Sequence, residues 1–167
     1  MAGTREKKRL GLDANLPFDL AAEKDSAFEF KEVFESKGYT FHLPPTAAYE
    51  LWIIAAKGEN ARERGLASTA LKKLNGWGIK PFDLPSLQQS IAEQFARRLI
   101  RGGLLPVEEM DDGLILAETS LAEIPLLVTS DKHLLDIDET ALRLAFNDAD
   151  LLPVSPVHPR RLLRAMR

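Results

Sequence analysis

The chain has 167 residues, with 25 acidic against 22 basic, a formal net charge of −3 and 45% hydrophobic content. That is enough apolar material for one domain with a sizeable core, and it excludes both wholesale disorder and a purely electrostatic coat for nucleic acid. Cysteine is absent, which removes disulfides, thiolate zinc sites, iron–sulfur clusters and cysteine nucleophiles together.

The first nine residues carry Arg5, Lys7, Lys8 and Arg9, but no apolar segment of the targeting kind follows them. Residues 1–8 read as a basic tail. Leu10-Gly11-Leu12 is a short apolar strand ending in Asp13. Phe18 to Lys37 reads as helix with a break near Lys24-Asp25, and Gly38 is a natural stop. Tyr39 to Leu43 alternates like a strand. After Pro44-Pro45, Thr46 to Lys57 carries a helical stripe of Ala48, Leu51, Trp52 and Ala55.

Glu59 to Asn75 is a further helix, stopped by Gly76-Trp77-Gly78, and Ile79 to Leu84 is a short strand. Helices follow over Pro85–Arg101 and Glu108–Ala122. Pro125 to Thr129 is a near-continuous apolar run, the pattern of a strand buried on both faces. Asp131 to Asp136 turns helical, Leu151 to Val154 is the last strand, and residues 157–167 form a basic helical tail. Five strands separated by helices predict an α/β fold: a three-layer α/β/α domain around a five-stranded, mainly parallel sheet, spanning residues 1–167. The longest apolar stretches fall far short of the roughly 20 residues of a bilayer helix, so a soluble, cytoplasmic protein with no membrane association is expected.

In open parallel sheets ligands bind beyond the carboxyl ends of the strands. Two apolar strands here finish in an aspartate, Asp13 and Asp131. Either one alone is also what a cap or turn uses, so the coincidence is the informative observation. Glu50 is a third candidate, because its helical neighbours Thr46, Ala47, Ile53 and Ile54 are mostly apolar. The fourth lies in Glu108-Glu109-Met110-Asp111-Asp112, an acidic first turn that suits the helix dipole. Within it Asp112 sits where the acidic turn meets the apolar face, although spacing alone does not separate it from Asp111. Four carboxylates on one sheet edge repel one another unless a hard divalent cation, Mg2+ or Mn2+, offsets the charge. Such a site suits hydrolysis of phosphodiesters by metal-activated water.

Gly11-Leu12-Asp13-Ala14-Asn15, Pro45-Thr46-Ala47-Ala48-Tyr49-Glu50-Leu51, Asp112-Gly113-Leu114-Ile115-Leu116-Ala117-Glu118 and Val128-Thr129-Ser130-Asp131-Lys132 occur in that order. Together they resemble the PIN domain (PilT N-terminal) family over about residues 9–156. The resemblance implies an acidic, metal-dependent ribonuclease in which Asp13, Glu50 and Asp112 match the near-universal acids and Asp131 the more variable fourth. It implies that Asp13, Asp112 and Asp131 hold the metal, with Asn15 and Thr129 or Ser130 in support. Bacterial members of the VapC type are toxins inhibited by an antitoxin, so an antitoxin partner and a homodimer formed through the early helices are expected. For the dimer, Leu51, Trp52, Leu66, Ala70 and Leu74 are candidate contacts.

The remaining signals have plainer readings. His42, His133 and His158 lack metal-ligand spacing, and Ser130 with His133 is no nucleophile elbow, since G-x-S-x-G is missing. Basic clusters usually form solvated faces. The acid-free stretch from His158, with Arg160, Arg161 and Arg164, is the best candidate for RNA contact. Competing readings are an RNA-processing nuclease without antitoxin, a PIN-like RNA- or protein-binding module that does not cleave, and a signalling receiver domain. The last wants an acidic neighbour beside Asp13, which is lacking.

Overall fold

A computed structural model describes residues 8–166. The elements run β1 (Arg9–Leu12), α1 (Asn15–Ala21), α2 (Asp25–Ser36), β2 (Thr40–Leu43), α3 (Pro45–Lys57), α4 (Ala61–Lys73), β3 (Ile79–Pro81) and α5 (Ser86–Arg101). A 3-10 turn (Val107–Glu109) leads into α6 (Met110–Leu121), followed by β4 (Leu126–Val128), α7 (Lys132–Leu135), α8 (Glu139–Asp148), β5 (Ser155–Val157) and α9 (Pro159–Ala165). Residues 1–7 of the expected basic tail, and Arg167, lie outside the described residues.

The five strands form one sheet in the order β3-β2-β1-β4-β5, every pair parallel, flanked by helices in three layers. β1 is central, paired through Leu10 with Phe41 and through Gly11 with Leu127. That is why Leu10 and Leu12 are fully buried within the sheet's packed layers. Parallel strands end at one edge, so the residues following β1 and β4 emerge side by side. Phe30, Phe34 and Phe41 fill one part of the core, and Phe95 of α5 stacks on Phe146 of α8 with ring centroids 4.6 Å apart. The break between α1 and α2 falls where Glu23 takes φ +57°, and Gly38, at φ +87°, ends α2 in a conformation that a side chain disfavours.

Three features differ from the pattern expected of the sequence. The last strand is not Leu151–Val154 but Ser155–Val157. Leu151 closes the end of α8 by donating its N–H to Phe146 O. The ladder begins only where Ser155 N reaches Pro125 O, and Pro156 is tolerated because β5 is an edge strand. Helix α8 has no counterpart in that pattern. It is capped by Asp138, whose carboxylate accepts the Ala141 N–H, and it lays Leu142, Ala145, Phe146 and Ala149 on the core, an i, i+4 stripe present in the sequence that the expected pattern leaves unused. Finally, Leu51, Ala70 and Leu74 are core residues rather than surface contacts, because α3 and α4 turn those faces inward. On α3 the exposed large apolar residues are Tyr49 and Trp52, stacked at 6.0 Å between centroids. No helix among the described residues is long and apolar enough to cross a membrane.

Candidate functional site

Asp13 follows β1 directly, and its N–H still donates to Val128 O of β4, so the sheet itself fixes its backbone. Its side chain is buried. Oδ1 accepts the Ala14 N–H at 2.7 Å, while Oδ2 accepts the Thr129 hydroxyl at 2.7 Å and the Asn15 amide at 3.3 Å. Burial raises its pKa, the bonds from Thr129 and Ala14 oppose that, and the charge of Asp131 adds to it.

Asp131 follows β4 and caps α7, accepting the His133 N–H on Oδ1 at 2.8 Å. Its own N–H donates to Thr129 Oγ1 at 3.0 Å. Asp112 comes from the first turn of α6. It is 4% exposed, and its Oδ2 is buried with no hydrogen-bond partner among the described residues. Burial first, then the charges of Asp131 and Asp13, push its pKa up to about 9. Burial leads again at half-buried Glu50, ahead of repulsion from Asp13 and Asp111, and lifts it to about 8.

One carboxylate oxygen each from Asp13, Asp112 and Asp131 can be chosen so that all lie within 4.8 Å of one another. They open onto a cavity of about 370 Å³ whose wall also includes Asn15, Phe18, Glu50, Ile54, Glu63 and Glu109. No lysine or arginine is among the described residues lining it. Three hard oxygens, held against their mutual repulsion beside an unpartnered carboxylate atom, are the donor set that a divalent cation would satisfy. The residues present therefore fit a hard divalent cation.

Of the expected site residues, Asp13, Glu50, Asp112, Asp131 and Asn15 line one cavity, and Thr129 bonds to Asp13 beneath it. Asp111 is exposed, so the side-by-side pair is separated by geometry rather than by charge. Ser130 is also exposed and faces a neighbouring groove of about 550 Å³ whose lining includes Lys24, His158, Arg160 and Arg164 and the acids Asp19 and Glu29. Neither Arg160 nor Arg164 has a carboxylate partner among the described residues, whereas Lys24 pairs with Asp19 at 2.9 Å. Arg161 lies apart, beside a third hollow next to β5.

Glu63, Glu109 and Glu118 are not among the expected site residues, although Glu109 and Glu118 stand within the quoted acidic run and motif. Glu109 sits on the rim with His133 at 3.3 Å. Glu118 is fully buried, accepting the N–H and hydroxyl of Thr46 at 2.9 and 2.6 Å and the Gln89 amide at 3.2 Å. The criterion that singles out Glu50, a carboxylate among apolar helix neighbours, would have found Glu118 as well.

No protein-family profile matches the chain, and no curated protein does. Among solved structures it is similar to VapBC2 from Rickettsia felis bound to a DNA fragment from its promoter, at TM-score 0.60 and 16% identity, covering 90% of this chain and 98% of that one. It is also similar to VapBC-1 from nontypeable Haemophilus influenzae, at 0.56 and 13%, covering 91% and 98%. A third likeness is to FitAB bound to the IR36 DNA fragment, at 0.53 and 18%, covering 90% and 94%. At these identities the likeness is one of fold, and the fold is PIN-like.

Proposed function

We propose that this protein is a metal-dependent endoribonuclease of the PIN type, the toxin of a toxin–antitoxin pair. The observation that carries the reading is the trio Asp13, Asp112 and Asp131 within 4.8 Å, with Asp112 Oδ2 buried and unpartnered among the described residues. Asp13, Asp112 and Asp131 would hold Mg2+ or Mn2+, which when bound supplies an activated water for phosphodiester hydrolysis and charge to balance the phosphate. The chain itself does the rest. Thr129 and Asn15 hold Asp13 in place, and Asp131 is fixed by its cap on α7. Glu50 lines the same cavity as the three aspartates without belonging to the trio, and is the carboxyl placed there for general acid–base work. The groove with Arg160 and Arg164 adjoins the site through Ser130 and offers cations to the phosphates of an RNA strand.

The antitoxin partner is supported by the VapBC and FitAB complexes whose fold the chain shares. The exposed Tyr49–Trp52 pair on α3 supports a homodimer. The deciding experiment incubates the purified chain with single-stranded RNA and Mg2+ or Mn2+. Cleavage that stops with chelator and returns with metal supports the nuclease. Binding without cleavage at any metal concentration overturns it in favour of a binding module.

A further inference from the structure

Glu118 is a buried carboxylate that the proposed chemistry does not use. It lies on α6 six residues after Asp112, and no side chain of the metal trio touches it among the bonds formed by the described residues. Its three donors come from two other helices: Thr46 at the start of α3, through both N–H and hydroxyl, and Gln89 in the first turn of α5. The Thr46 N–H is one of the free amides at a helix start, and α3 begins with Pro44 as its N-cap and has no side-chain cap of its own. Glu118 therefore caps α3 from outside, with its charge at the positive end of that helix.

Two routes lead from this contact to the site. Going from Thr46 one turn along α3 leads to Glu50, and going back along α6 from Glu118 leads to Asp112. Glu50 and Asp112 then line the same cavity. We propose that Glu118 is a positioning residue: through Thr46 it fixes the rotation and depth of α3, and so sets Glu50 against the three aspartates of the site. This rests on the nuclease reading for its effect on rate, but not for its effect on α3.

Two measurements test it, using the full chain. The first is amide hydrogen exchange of the metal-free protein. Glu118→Gln places a second amide among three donors, and Thr46→Val removes only the hydroxyl. Amides over residues 46–50 should exchange roughly tenfold faster in Glu118→Gln, and less so in Thr46→Val, while those of β1 and β4 stay unchanged. Unchanged exchange in α3, or a uniform rise across the sheet, overturns the proposal.

The second is epistasis with Glu50. In the wild-type background Glu118→Gln should lower kcat roughly 10- to 100-fold with KM and Mn2+ affinity unaltered. In a Glu50→Gln background it should lower kcat no further, because there is no longer a carboxylate to place. Thr46→Val should show the same pattern at smaller size. An equal loss in both backgrounds makes Glu118 a general support of the fold and overturns the proposal. If Glu50→Gln alone keeps full activity, positioning of Glu50 is overturned together with its acid–base role. If the wild-type chain cleaves nothing, the nuclease reading fails and the exchange result alone decides whether Glu118 holds α3.

Discussion

The Thr129 hydroxyl donates to Asp13 Oδ2 at 2.7 Å and accepts the Asp131 N–H at 3.0 Å, so one oxygen joins the acids at the ends of β1 and β4. The hydroxyl can make both bonds because the two strands are parallel neighbours. Thr129→Val removes the link at nearly constant volume. It should weaken Mn2+ binding roughly 10- to 100-fold, the usual effect of losing a group that orients a metal ligand. Thr129→Ser should bind like wild type. Calorimetric titration with Mn2+ distinguishes them, and a wild-type affinity in Thr129→Val would rule the link out as a support.

Asp13→Asn and Asp112→Asn should each abolish metal-dependent cleavage, since both replace a hard anionic ligand with a neutral amide of the same shape. Asp111→Asn should stay within a fewfold of wild type, because Asp111 is exposed and enters the site only through its charge. Cleavage assays on the three variants with matched thermal melts decide. In the absence of metal, Asp112→Asn should melt higher than wild type at pH above 9, since it removes a charge that burial, Asp131 and Asp13 all disfavour.

Stability should depend on pH in the direction opposite to ordinary acid denaturation. Asp13, Glu50, Asp112 and Glu118 all have raised pKa values, so the folded chain binds their protons more tightly than the unfolded one. Their contribution is complete below the unfolded carboxylate range near 4 and is lost as pH climbs through about 8 for Glu50 and about 9 for Asp112. A carboxyl that holds its proton tenfold more tightly in the folded chain contributes at most about 1.4 kcal/mol, and less at partly exposed Glu50. The melting temperature of the chelated protein should therefore fall between pH 5 and 9, and Mg2+ should restore it more at pH 8.5 than at pH 5.5. A flat profile would mean that the acids are not repelling one another in solution.

Arg160→Ala and Arg164→Ala should weaken binding of single-stranded RNA about equally across sequences. The slope of log affinity against log salt should drop by roughly 0.7 for each phosphate that the variant no longer neutralises. Arg161→Ala, facing a different hollow, is the internal control. Fluorescence anisotropy in chelator separates binding from cleavage, and an unchanged slope in the first two variants would move the RNA path elsewhere.

Trp52→Glu should convert a dimer to a monomer while leaving the fold of each chain intact, because the indole is 53% exposed in the isolated chain. Light scattering at high protein concentration measures it, with circular dichroism as the check on folding. A wild-type chain that is already monomeric refutes the α3 dimer.

The acids at strand ends were readable because a parallel sheet turns a sequence pattern, an apolar run closing in Asp, into a shared location in space. Glu50 and Asp112 were readable because a carboxylate beside an apolar helical face is rare without a reason. Glu118 met that criterion as well, but what occupies it is Thr46, 72 residues away, and no local spacing carries that. Ser130 and Thr129 were indistinguishable as letters. Which hydroxyl faces Asp13 follows from the pleat of the chain leaving β4, and it turns Ser130 toward the neighbouring groove instead. The displacement of β5 leaves little to read, since a three-residue edge strand with a central proline has no alternation, whereas α8 carries a legible sign in its Asp138 cap and its stripe of Leu142, Ala145, Phe146 and Ala149.

Gly113, next to Asp112, lies where α6 crosses α5: a Cβ there would come within 2.9 Å of the Ala96 Cβ and 3.0 Å of its Cα. A side chain at 113 therefore pushes α6 away from the α5 backbone, because the Cα of residue 96 stays in the way whatever stands there, and that shift carries Asp112 with it. A single methyl group at 113 would test the reach of Asp112 without altering a single charge.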